Sequence, residues 1–187
     1  MVGVYLNAQL AFMLEDQRMF AMPPEIIGVA TSDLTIYSLP FSMVTTFMVS
    51  YAYELIGRKW TIFWSFFLTS LVFYAIPYTA PNYNYLIIAR CVIGVTMAAP
   101  VSNPLIADYI KRSSRGKAVA LNGIGFVFGE VMSMGVLFNL TKTMSYYKAF
   151  ALTAGIIFFF SFFFLITVRD PRLIMMRTDT SRHTFIA

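Results

Sequence analysis

Three stretches of the chain, Leu34 to Tyr53, Trp60 to Thr79 and Ala149 to Val168, contain no charged side chain, and each runs for 20 residues. That is about the length an α-helix needs to cross the hydrocarbon core of a bilayer. Short basic knots separate them: Gly57-Arg58-Lys59, then Lys111-Arg112-Ser113-Ser114-Arg115-Gly116-Lys117, then Arg169 to Arg172. The pattern leaves few folds open, because backbone polar groups inside lipid are satisfied only in helices or closed barrels. Long unbroken apolar runs, rather than strict alternation, select the helix.

Two further segments read as crossings although each holds ionisable residues. Tyr85 to Ile110 contains Arg90 and closes on Asp108, and Ala118 to Leu140 contains Glu130. Met1 to Leu14 is uncharged but short for a crossing, and it reads as half a helix. It does not read as a secretory signal, since no basic region precedes it and no small-residue cleavage site follows. With 58% hydrophobic and 12% charged residues and a mean hydropathy of +0.69, the chain lies outside the range of water-soluble domains. The expected architecture is therefore an all-α, polytopic membrane bundle of about six transmembrane helices, the first of them incomplete. Residues 1–172 form the bundle and 173–187 a polar tail. The longest polar connection, Glu15 to Ser32, is expected to be an ordered outer loop.

Basic residues in short loops stay on the side from which the helices insert. One side would carry Arg58, Lys59, Lys111, Arg112, Arg115, Lys117, Arg169, Arg172, Arg177 and Arg182, against Arg18, Lys142 and Lys148 on the other. The carboxyl terminus is expected inside, on the cytoplasmic side of a plasma membrane or the matrix side of the mitochondrial inner membrane. Both membranes stay open.

A net charge of +5 does not mark a nucleic-acid surface here, because the excess sits in loops beside spans. Cys91 is the single cysteine and falls within a span, and His183 is the single histidine and falls in the tail. Neither makes a metal site. No Gly-rich phosphate loop, nucleophile elbow or carboxylate pair occupies an aqueous segment. The sequence thus gives no sign of an enzyme, a metal or a cofactor.

The chemistry is expected inside the membrane. An ionised side chain at the bilayer centre costs about 2.5–3.5 kcal/mol on insertion scales and usually faces a cavity or a partner. Arg90 and Glu130 are the two candidates. Glu130 falls near the middle of its span and Arg90 about 8 Å from the outer end of its own, at about 1.5 Å rise per residue. If the two helices are neighbours, the long arginine could reach the glutamate, either as a substrate or proton site or as a packing pair. Asn103 and Asn122, with Asn139, Asn7 and Gln9, could line a cavity with them. Pro100 and Pro104 interrupt the hydrogen-bond ladder of the fourth span. Gly125 and Gly129 form a small-residue face for helix packing. The phenylalanines from Phe158 to Phe164 read as lipid-facing. Tyr78, Tyr83, Tyr85, Tyr146 and Tyr147 read as interfacial anchors.

The loops carry a second pattern. Ser50, Glu54, Gly57, Arg58 and Lys59 follow the second span; Arg90 and Gly94 stand in the fourth; Asp108 and Arg115-Gly116 flank the next loop; Val168-Arg169-Asp170-Pro171-Arg172 follows the sixth. Together these resemble the amino-terminal half of a major facilitator superfamily transporter, especially the sugar and organic-ion porters. Serine replaces the first glycine of the family's Gly…acid…Gly-Arg-Lys signature, and the last motif is a degraded Pro-Glu-Ser-Pro-Arg. The resemblance spans nearly the whole chain. It implies that Glu54, Arg58, Lys59, Asp108, Arg115, Asp170 and Arg172 form a charge network at the inner helix ends, which latches helices in one transport state; anchoring of loops at headgroups is the plainer reading of the same residues.

Facilitators use two six-helix halves, so the resemblance implies a partner besides the lipid bilayer: a second half, a homodimer partner or a larger membrane complex. Two functions follow. One is a secondary transporter for a small organic solute that works only as an assembled pair. The other is a non-transporting accessory subunit of a large complex, conceivably mitochondrial, that has inherited a transporter fold.

Overall fold

A computed structural model describes residues 2–101 and 112–168. Among the described residues it is all-helical, with six helices: α1 (Val2–Glu15), α2 (Pro24–Leu55), α3 (Arg58–Thr79, its last turn a 3-10 helix), α4 (Tyr83–Val101), α5 (Arg115–Thr141) and α6 (Tyr146–Thr167). By length and apolarity α3, α4, α5 and α6 can each cross a membrane. The expected all-helical membrane bundle is what forms.

α2 differs from the expected span. It begins at Pro24 rather than at Leu34, so the connection after α1 shrinks to Asp16 through Pro23. Proline is favoured in the first turn because its missing N–H is not needed there, and Glu25 complements the positive end of the helix dipole. The hydroxyls that make this stretch look like a loop return to the helix's own backbone: Thr31 donates to the Ile27 carbonyl and Ser32 to Gly28, both at 2.8 Å. Ser38, Thr45 and Thr46 do the same further along. Such internal bonding lets a hydroxyl enter lipid without an orphaned donor. At 32 residues α2 is about 48 Å long, more than a bilayer core requires.

The helices form a row in which α4 lies between α2 and α3, and α3 between α4 and α6. Each contact has its own chemistry. Gly94 of α4 faces Ser38 and Ser42 of α2, so closely that a Cβ there would stand 3.2 Å from the Ser38 carbonyl oxygen. Small residues on both sides let these two backbones approach. Between α3 and α4, Ser65 donates its hydroxyl to the Thr96 carbonyl, and the Thr69 and Thr96 hydroxyls stand 2.7 Å apart; all three side chains are buried. Rings join α3 to α6: Phe63 meets Phe162 edge to face at 5.4 Å, and Phe67 meets Phe158 at 5.6 Å. Phe158 and Phe162 are therefore packing residues and not purely lipid-facing.

α1 is the keystone of one end of the bundle. Tyr5, Leu6, Leu10, Met13 and Leu14 are buried, in a core completed by Leu34, Phe73, Leu86, Leu137 and Phe150 from the other five helices. A smaller cluster at the basic end joins Val49, Tyr53, Ile62, Ala98 and Ala99, and there Tyr53 donates to the Ala99 carbonyl at 2.6 Å.

α5 is the exception to this close packing. No residue from Arg115 to Met132 is buried. Its far end docks on α1 through a π-helical turn at Ser133–Leu137, in which the Phe138 N–H donates to the Ser133 carbonyl. The wider turn offsets the drift of an α-helical face, so that Ser133, Leu137 and Thr141 are all buried. Phe12 of α1 also meets Phe138, with ring centroids 5.6 Å apart.

Candidate functional site

Arg90 stands seven residues into α4, about 10 Å from its Tyr83 end. Position alone makes it costly, because a guanidinium stays charged at any accessible pH. One terminal nitrogen, Nη2, donates to Asn7 Oδ1 of α1 at 3.1 Å. Nε is buried and has no hydrogen-bond partner. Asn7 is itself exposed, at the edge of the buried face of α1. α1 and α4 thus place a cation and an amide together on an open face at membrane depth.

The next residue turns the other way: Cys91 Sγ points at the Tyr37 carbonyl of α2, 3.6 Å away. Gly94, one turn beyond Arg90, supplies the close α2 contact described above. The Arg90-x-x-x-Gly94 spacing therefore has a physical content. Its arginine faces the open side while its glycine allows the helix to be seated against α2.

The expected Arg90–Glu130 pair does not form. Glu130 is half-buried on α5 just before the π turn, and α5 is not a close neighbour of α4. The axial offset between the two residues was compatible with contact, but the Arg90 side chain reaches Asn7 of α1 instead. Asn122 is exposed on the bare part of α5 and does not join Arg90. Gly125 does not pack either: a Cβ there would meet no atom within 4 Å. Gly129, one turn on, is half-buried. Asn139 returns its amide to the Gly135 carbonyl at 2.8 Å.

Gln9 has a different role from the one expected. Its amide nitrogen and the Tyr5 hydroxyl both donate to the Thr141 hydroxyl oxygen, at 3.0 and 3.1 Å, and Thr141 in turn donates to the Leu137 carbonyl at 2.9 Å. This knot ties α1 to α5 and is structural. Neither it nor the Ser65–Thr69–Thr96 cluster was legible beforehand, since serine and threonine are common in membrane helices and bond their own backbone as readily.

At the basic end, Gly57 adopts φ 94° and ψ 153°, a conformation that is essentially glycine's alone. It lets α3 start with only Ile56 and Gly57 between it and α2, so the glycine of the Gly-Arg-Lys knot is dictated by the turn. Glu54 lies in the last turn of α2 and Arg58 and Lys59 open α3. Glu54, Arg58 and Arg115 each have an interaction partner. Asn103, Pro104, Asp108, Asp170 and Arg172 lie outside the described residues.

A cavity of about 440 Å³ opens beside α3 and α6, lined by Phe66, Ile156, Phe160, Phe163 and Thr167 among others. Its one hydroxyl, of Thr167, is donated to the Phe163 carbonyl at 2.8 Å. Nothing in it could orient a polar solute, so it is not a second candidate. Among the described residues no cluster of His, Cys, Asp or Glu could hold a metal ion.

Neither a curated protein nor a solved structure matches the chain. The family model described as Major Facilitator Superfamily matches residues 5–180, nearly the full length, and takes in every loop motif set out above. Six helices in one membrane bundle, with a Gly-Arg-Lys turn after the second and an Arg-x-x-x-Gly in the fourth, are accounted for together. The chain belongs to the major facilitator superfamily.

Proposed function

We propose that this chain forms one half of a secondary transporter for a small organic solute, and that it works against a second six-helix half. The observation that carries this reading is the Arg90–Asn7 pair. An arginine and an exposed amide at membrane depth are unfavourable against lipid, at about 2.5–3.5 kcal/mol for the charge alone, so the face that bears them is better suited to water or protein. α5 supports it. Its bare stretch exposes Asn122, and a Cβ at Gly125 would meet nothing within 4 Å among the described residues, the kind of face that a facing helix covers. Solute would pass along the Arg90 face while the two halves rock about it.

The basic ends of α3 and α5 and the carboxyl terminus lie inside in this reading, following the ten-to-three division of Lys and Arg between the loops. Glu54, Arg58, Lys59, Asp108, Arg115, Asp170 and Arg172 act there as the latch between states. The test joins particle size to uptake. Extraction of the native membrane in mild detergent should yield a particle in which this bundle is packed against a second six-helix half, and the same membranes should accumulate a solute in a manner lost with Arg90→Ala. A fixed-stoichiometry large complex whose host membrane shows the same uptake with and without this chain would refute transport and leave an accessory subunit.

A further inference from the structure

Resting on the transport reading, we infer that the solute carries an anionic oxygen group, a carboxylate or a phosphate, and that Arg90 holds it with Asn7 as the second donor. The argument is an inventory of donors and acceptors. Arginine offers five N–H donors and no acceptor. The Nη2–Asn7 bond uses one of them, and Nε–H, though buried, has no partner. No carboxylate pairs with the guanidinium among the described residues; the nearest candidate by depth, Glu130, is on a helix that is not a close neighbour.

The bond to Asn7 sharpens the selectivity. By accepting from Arg90, Asn7 Oδ1 is turned into the guanidinium, which leaves the amide nitrogen with its two donors on the exposed side of α1. The site therefore presents mainly hydrogen-bond donors and a full positive charge, with one of the two lone pairs of Asn7 Oδ1 already used. Such a surface repels cations and favours an anion over a sugar, whose hydroxyl oxygens can accept but carry no charge. Two oxygens of a carboxylate or phosphate can match it, in the bidentate geometry that arginine is shaped for. Cys91 does not compete, since its thiol faces the Tyr37 carbonyl on α2.

Binding to the full-length chain in detergent tests this separately from transport. The probes are lactate, succinate, glycerol phosphate and inorganic phosphate, with glucose and choline as neutral and cationic counterparts and chloride to match ionic strength. The readout is the thermal unfolding midpoint as a function of concentration. At least one of the four anions should raise the midpoint saturably. Arg90→Gln should weaken that anion by about tenfold or more, the size expected for losing a charged hydrogen bond. Arg90→Lys should keep part of the affinity and Asn7→Ala should lower it less. Stabilisation by glucose or choline but by no anion overturns the inference, as does a response to none of the probes. Anion stabilisation that Arg90→Gln leaves unchanged also overturns it, even if that variant is otherwise stable. If an anion binds through Arg90 but reconstituted membranes containing the native assembly never accumulate it, the transport reading fails and the anion site stands. Uptake of glucose or choline without any anion does the reverse.

Discussion

Replacing Thr141 with valine should loosen α1 from the bundle, and the size of the effect follows from the local bonding. The Thr141 hydroxyl oxygen accepts from Tyr5 at 3.1 Å and from Gln9 at 3.0 Å, and Tyr5 is 0% and Gln9 4% exposed. Valine keeps the shape and removes the acceptor. Two side-chain hydrogen bonds inside a membrane protein, at about 0.6 kcal/mol each, set a lower bound of about 1.2 kcal/mol. Each donor left buried and unsatisfied costs about 1–3 kcal/mol, giving an upper bound of about 6 kcal/mol. Because neither donor can turn to water, the expectation is about 2–4 kcal/mol. Thr141→Ser keeps the acceptor and should lose far less. The triple variant Tyr5→Phe, Gln9→Leu, Thr141→Val removes donors and acceptor together, and it should recover most of the loss, since replacing both sides of a buried bond is nearly neutral. Equilibrium unfolding in mixed micelles with increasing denaturing detergent, followed by helical circular dichroism and the fluorescence of Trp60 and Trp64, measures all of these. A loss under about 0.5 kcal/mol for Thr141→Val, or a triple variant no more stable than the single one, would refute the reasoning.

Gly94→Leu should separate α2 from α4, because a Cβ there already stands 3.2 Å from the Ser38 carbonyl oxygen; Gly125→Leu, in open space, should unfold like the parent chain in the same assay. Gly57→Ala should cost about 1–3 kcal/mol for forcing a side chain to φ 94°, read as a lower unfolding midpoint. Tyr53→Phe should destabilise by about 0.6–1.5 kcal/mol through loss of its 2.6 Å bond to the Ala99 carbonyl, again by unfolding. Because Arg90 bonds Asn7 and forms no pair with Glu130, a double-mutant cycle of Arg90→Gln with Glu130→Gln should show coupling under about 0.5 kcal/mol; coupling above about 1 kcal/mol would mean that the two do meet.

The apolar windows marked α3, α4, α5 and α6 from sequence because a membrane span is a property of one segment: length and transfer free energy decide it without reference to neighbours. The Gly-Arg-Lys knot was legible as a basic break between two apolar runs, while the φ of 94° that its glycine adopts was seen only in the turn itself. The start of α2 was not legible. Thr31 and Ser32 look polar in sequence, and only the helix they occupy shows that their hydroxyls are spent on its own backbone. Arg90 stood out as a charge in an apolar span, but axial depth pointed to Glu130 as its partner and could say nothing about which helix lies alongside.

Composition and hydropathy alone determined a helical membrane protein, with four of its crossings and an arginine that needs a partner, while the loop motifs carried its resemblance to the major facilitator superfamily. Lateral arrangement was left to the tertiary structure. It brought the Arg90 side chain to Asn7 of α1, seated Gly94 on Ser38, tied Tyr5 and Gln9 to Thr141, and left no residue of α5 from Arg115 to Met132 buried. The physical reason is that burial in lipid is nearly the same for any arrangement of apolar helices. The choice among arrangements therefore falls to close backbone contacts and a few buried hydrogen bonds, which are properties of pairs of helices and are written in no single segment.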